Sequence, residues 1–139
     1  MARLDILKHF EMLKRKFNPG VEERSRMQLS YLGEELSAGR LGDLVKEFNK
    51  NNDPSMHIKQ RGASSIDLPA PLMISFFKPL FDNIKGKVKE LIGQAEGKQS
   101  PVNFIFMVGG FSESPFLKAE IKKNFEEACN INVLVPRRP

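Results

Sequence analysis

Glu11, Lys14, Arg15 and Asn18, in the run FEMLKRKFN, are the side chains whose types and spacing best suit chemistry. The spacing i, i+3, i+4, i+7 places all four on one face of an α-helix. A carboxylate accepts from sugar hydroxyls, and an ammonium donates to hydroxyls or ring nitrogens. A planar guanidinium stacks on a base, and a side-chain amide offers both a donor and an acceptor. The same face also reads as a solvated ion pair, Glu11 with Lys14 or Arg15, worth at most about 1 kcal/mol. A second candidate is FMVGGFSESP, at 106–115, where an apolar run meets Gly109 and Gly110. Paired glycines at a strand end let a chain segment or a ligand approach the backbone closely. A strand, a glycine turn and a helix N-terminus together suit a nucleotide or an anion. The turn is neither GxGxxG nor a P-loop, and taken alone a tight turn accounts for it.

The elements that hold these residues follow from periodicity and punctuation. Leu4, Leu7, Phe10, Leu13 and Phe17 recur every three or four residues and predict an amphipathic helix over 3–17, ended by Asn18, Pro19 and Gly20. MQLSYL, at 27–32, reads as a strand. Leu41, Leu44, Val45 and Phe48 predict a helix over 36–49, broken by NKNNDP. SMHIKQ and SSIDL predict a hairpin turning at Arg61-Gly62-Ala63. Pro69 and Pro71 open a long helix to about Ile92, with Leu72, Phe76, Leu80, Ile84, Val88 and Leu91 on one face. Pro79 lies inside it and is expected to kink or break it. Residues 93–101 read as a surface connection.

The last forty residues differ in character. NFIFMV is short and continuously apolar, as in a strand buried on both faces of a parallel sheet. Ser114 can cap a helix with Pro115 in its first turn, and Leu117, Ile121 and Phe125 form its inner stripe. INVLV, at 131–135, reads as a further strand. The order is a βαβ unit with a right-handed crossover. Without sheet neighbours, Phe104, Phe106, Val133 and Val135 are expected on an exposed apolar edge.

Composition bounds the function. With 40% apolar and 28% charged residues, the 139-residue chain is of globular type. It has no apolar stretch near the roughly 20 residues that span a bilayer, and no segment resembling a leader peptide. A cytoplasmic protein without membrane contact is expected. Cys129 is the single cysteine and the two histidines lie far apart, so neither an internal disulfide nor a metal-ligand spacing exists. The net charge of +5 is scattered among acids, with one Tyr and no Trp to stack bases. A solvated surface explains it better than a nucleic-acid partner.

FEMLKRKFN followed much later by IFMVGGFSESPFL resembles the ATP-binding domain of the 70-kDa heat-shock proteins, in the actin-like ATPase superfamily. The extra helix at 36–49, FFKPLFDNI and GGFSESP are similar to the divergent branch-12 members, which lack a typical peptide-binding domain. The resemblance implies an α/β fold: an α+β upper subdomain of the second lobe over 1–100, and the start of the lower subdomain over 101–139. It further implies Glu11 and Lys14 on the ribose and Arg15 stacked on adenine. Asn18 would lie near the base edge, Gly109 and Gly110 would allow the nucleoside to approach, and Pro115 would start the next helix. ATP or ADP would be held through adenosine alone, with magnesium expected only in a complete domain. Glu113 stands where the family has an arginine on the second face of adenine, so stacking would be one-sided. Asn18 replaces a serine.

The family's phosphate loops and magnesium-positioning residues do not occur here. The chain is therefore expected to be a fragment that needs the first lobe as partner and does not hydrolyse ATP alone. The alternative is a non-catalytic interaction module of the same fold. Glu113 and the missing phosphate loops favour it, and the retention of Glu11, Lys14, Arg15 and the glycine pair speaks against it.

Overall fold

The computed structural model describes residues 2–21, 24–29 and 37–137. It is a mixed α/β chain with two compact units, Met1–Phe76 and Phe77–Pro139. The division falls inside a long helix, whereas the expected boundary after residue 100 concerned subdomains of a larger lobe.

The first unit begins with α1, Ala2–Lys16. Phe17 is 1% exposed and anchors the helix end, while Leu7, expected inside, is half exposed. Strand β1, Arg24–Gln28, alternates exposed and buried residues, with Ser25 and Met27 inward. It starts earlier than the expected strand, and residues 30–32 of that expectation lie outside the described residues. Arg24 to Arg26 carry little strand propensity of their own, and pairing with β3 makes them a strand. Helix α2, Ala38–Lys50, is capped by Ser37, whose hydroxyl accepts from the Arg40 N–H at 3.2 Å. Leu41 and Val45 are its buried positions, and Leu44 faces solvent. The Asn49 side chain donates to the Ile58 carbonyl at 3.0 Å and accepts from its N–H at 2.9 Å. That ties the helix to the chain entering β2, Lys59–Arg61.

Strand β3, Ser65–Pro69, follows a turn in which Gly62 takes φ +66°, the left-handed conformation glycine adopts without strain. The sheet is antiparallel with order β1-β3-β2. Its register pairs Arg26 with Asp67 and Asp67 with Lys59.

Helix α3 runs unbroken from Ala70 to Gly97, so Pro79 does not end it. Burial of Phe77 and Phe81 on either side offsets the roughly 3 kcal/mol a mid-helix proline costs. Leu72 is buried as expected, but the stripe continues through Met73, Phe77 and Phe81, one position from the expected one; Phe76 and Leu91 are exposed. Residues 71–81 are apolar nearly all round, and periodicity alone leaves the phase of such a segment open. The helix also extends five residues past the expected Ile92. It closes with the Ser100 N–H on the Ala95 carbonyl at 2.9 Å and the Gln99 N–H on Glu96 at 3.0 Å. Gln99 has φ 58°, which makes a Schellman motif with Gln in glycine's usual place.

In the second unit β4, Phe104–Phe106, pairs in parallel with β5, Asn132–Leu134, across α4, Pro115–Ile121. Ser114 caps α4 by accepting from the Leu117 N–H at 3.3 Å, with Pro115 in the first turn. Leu117, Ile121 and Phe125 are buried as expected, the last in a π-helical turn over Lys122–Glu127. Burial of β4 on both faces is corrected: Phe104 is 53% and Phe106 63% exposed. Helices cover one face of this two-stranded sheet, and that face holds Val133, buried against expectation. The Val133 N–H donates to Glu126 Oε2 at 3.1 Å, so a side chain takes up a strand-edge donor.

Candidate functional site

The residues singled out by the sequence fall into the two units. Glu11, Lys14, Arg15 and Asn18 belong to the first, and Gly109 and Gly110 to the second.

On α1 the ion pair that the sequence left open is resolved. Lys14 Nζ reaches Glu11 Oε1 at 2.6 Å, while Arg15 lies exposed one residue on. Lys14 also sits over the Phe10 ring, 5.3 Å from its centroid, and Phe10 meets Phe76 edge-on at 5.2 Å. These contacts hold the ammonium down on an aromatic shelf; only 27% of its side chain is exposed against 56% for Glu11. Lys14, Arg15 and Lys16 form the last helical turn, where cations complement the partial negative charge of the carbonyl end. Helix electrostatics therefore supplies a reason for these cations independent of any ligand. Asn18 Oδ1 accepts from the Gly20 N–H at 3.2 Å, closing the turn after α1. Its amide NH2 is then the group able to donate outward. The helix thus carries a carboxylate, an ammonium and a guanidinium, and the turn beyond its end an amide donor, so Asn18 is not brought onto the helical face that the spacing predicts.

At the turn after β4, Gly109 has φ +83°, and a Cβ built there would meet nothing within 4 Å. Its backbone conformation accounts for the glycine, and the space beside it is open. Gly110 starts a 3₁₀ turn, Gly110–Glu113, closed by Ser112, whose N–H and hydroxyl donate to the Gly109 carbonyl at 3.1 and 2.7 Å. Beside this turn lies a cleft of about 330 Å³ lined by Ser112, Glu113, Lys118, Val135, Pro136 and Arg137. It opens where the chain leaves the carboxyl ends of two parallel strands, the edge at which open α/β sheets bind ligands. Lys118 and Arg137 were not anticipated. The available signal was positional: a cation one turn past the Ser114 cap, and another just beyond β5.

The described residues thus give a mixed α/β chain, with an acid-base helix face in the first unit and a glycine turn at the carboxyl edge of a parallel strand pair in the second. Comparison with known proteins gives the relationship. The chain is 31% identical over 130 residues to heat shock 70 kDa protein 12A of Homo sapiens, and likewise to that of Mus musculus. The match covers 94% of this chain and 19% of each relative, so the chain spans about a fifth of their length. This similarity supports a relationship to the heat-shock-70-like, actin-like ATPases. No family model matches the chain, and no solved structure does.

Proposed function

We propose that this chain is a cytoplasmic piece of a heat-shock-70-like ATP-binding domain that supplies the adenosine half of the nucleotide site and does not hydrolyse ATP by itself. The observation that carries the reading is the α1 face: Lys14 pinned between Glu11 and the Phe10 ring, with Arg15 exposed beside it. In this reading Glu11 and Lys14 meet the ribose, Arg15 stacks on adenine, and Asn18 uses its amide hydrogens on the base edge. Within the second unit, the open space at Gly109 and the cleft beside it let a nucleoside approach the backbone. Arg137 lines the same cleft as Glu113 and offers a guanidinium where Glu113 cannot stack. The phosphates and magnesium fall to residues of a first lobe, as phosphoryl transfer rests on positioning both.

The test is a ligand-observed NMR titration of adenosine and ADP against the chain and the variants Arg15→Ala and Gly110→Val. Half a site should bind at about millimolar affinity, near 4 kcal/mol. Saturable adenosine binding, little improved in ADP and lost in both variants, supports the reading. No binding by a folded sample rejects it in favour of an interaction module. A gain above about tenfold from the phosphates reverses the assignment of which end of the nucleotide the glycines hold.

A further inference from the structure

The three-stranded sheet carries a feature that the nucleotide reading does not use. Asp67, in the central strand, has a side chain only 6% exposed. Its Oδ1 accepts from Arg26 Nε at 3.0 Å and its Oδ2 from Arg61 Nε at 2.7 Å. The two arginines come from the strands on either side, and their side chains are 59% and 52% exposed. Cross-strand partners share a face of an antiparallel sheet. The register therefore puts Arg24, Arg26, Lys59 and Arg61 on the Asp67 face, opposite Met27 and Leu68. Arg24 and Lys59 are exposed as well. Four cations thus share one sheet face with a buried carboxylate that two of them hold.

Cations on edge strands commonly prevent a second chain from pairing there, and that suffices for Arg24 and Lys59. It leaves the buried carboxylate beneath two arginines unaccounted for: an anion is buried at a cost that only pairing and hydrogen bonding offset, and here both partners come from the flanking strands. Here Asp67 takes one Nε–H from each guanidinium and fixes both planes. The forked ends, which match a carboxylate bidentately, remain the donors at the surface. Residues two apart on a strand lie about 7 Å apart, and β1 and β2 flank β3 at about 10 Å from each other. That spacing fits the carboxylates on one side of an extended peptide.

We propose that this sheet face docks an acidic polypeptide segment, with Arg26 and Arg61 as anchors and Arg24 and Lys59 as flanking contacts. Among the described residues the face carries no aromatic ring to stack a base and no exposed apolar side chain to enter a bilayer, which favours a peptide over a nucleic acid or a lipid surface.

The probe is a fluorescein-labelled peptide of alternating Glu and Ser, titrated with the full chain and read by anisotropy. Arg26→Gln with Arg61→Gln should weaken binding at least about tenfold. Arg24→Gln with Lys59→Gln leaves the Asp67 bridges intact, keeps the fold, and should weaken binding about threefold. Lys122→Gln with Lys123→Gln removes the same charge from exposed residues elsewhere and should change it less than about twofold. Added salt should weaken the wild-type complex. The proposal fails if the folded chain does not bind, or if all three pairs lose affinity alike. It fails also if a single-stranded oligonucleotide of equal charge binds more tightly through the same residues.

Discussion

Shortening Arg26 and Arg61 to glutamine should cost this chain more stability than changing Asp67, the carboxylate they hold. With both arginines gone, a carboxylate with 6% of its side chain exposed keeps its desolvation and loses its charged partners. Breaking a fully buried pair in this way costs about 3–5 kcal/mol. The arginines are more than half exposed, so water reaches the site when they are shortened, and about 2–3 kcal/mol is expected. Asp67→Asn keeps a carbonyl acceptor and leaves only exposed guanidiniums to be solvated, at about 1 kcal/mol. The triple variant should therefore recover about 1–2 kcal/mol relative to the double one.

A pH series supplies a second reading of the same cluster. Burial pushes the Asp67 carboxyl up, but the Arg26 and Arg61 hydrogen bonds outweigh it and hold it below its ordinary 3.8. A group depressed in the folded state binds its proton first in the unfolded chain. Its contribution is complete above about pH 4 and fades as pH falls through the folded value. In the double variant burial acts without the arginines. Its penalty is then present at neutral pH and relieved as Asp67 takes a proton, so variant and wild type converge in acid. Urea unfolding followed by far-UV circular dichroism at several pH values measures the differences, and carboxyl carbon-13 shifts follow Asp67 directly. If the double variant were no less stable than Asp67→Asn, or the triple variant no better than the double, the electrostatic account of this sheet would be wrong.

Three further outcomes follow from packing and capping. Ser114→Ala removes the hydroxyl that caps α4 and should cost about 1 kcal/mol, with Ser114→Gly closer to wild type in urea melts. Phe125→Ala empties a fully buried position in the π-helical turn; about 3–5 kcal/mol is expected, with loss of amide protection along β5 by hydrogen exchange. Ser25 Oγ is buried and has no partner among the described residues, so Ser25→Ala should raise the melting temperature, by up to about 1 kcal/mol in stability.

Much of the architecture is legible locally. The Ser114–Pro115 cap, the Gly62 turn, the apolar stripe of α4 and the strand-turn-helix-strand order around Gly109 are each signalled within a few residues. Capping and φ preferences act over that range, and tertiary contacts need only agree with them. The placing of Glu11, Lys14 and Arg15 on one stretch of helix is likewise legible, whereas α1 ends at Lys16 and Asn18 lies in the turn beyond it, not at a helical position. Which cation Glu11 takes was not legible. The Phe10 ring beneath Lys14 is one turn back on α1, but Phe76 behind that ring comes from far along the chain.

Residue types and local free energies thus determined the elements and their order: helix, strand, helix, hairpin, long helix and a closing βαβ. Tertiary structure decided which faces those elements bury. The apolar first half of α3 had no preferred side until Phe77 and Phe81 found neighbours, and Arg24 to Arg26 became a strand only by pairing with β3. NFIFMV reads as doubly buried, yet burial of a sheet face depends on what covers it, and only one face of β4 is covered here. The Asp67 cluster is the clearest case. Its partners lie 41 and 6 residues away in sequence, and only strand register brings the three charges together.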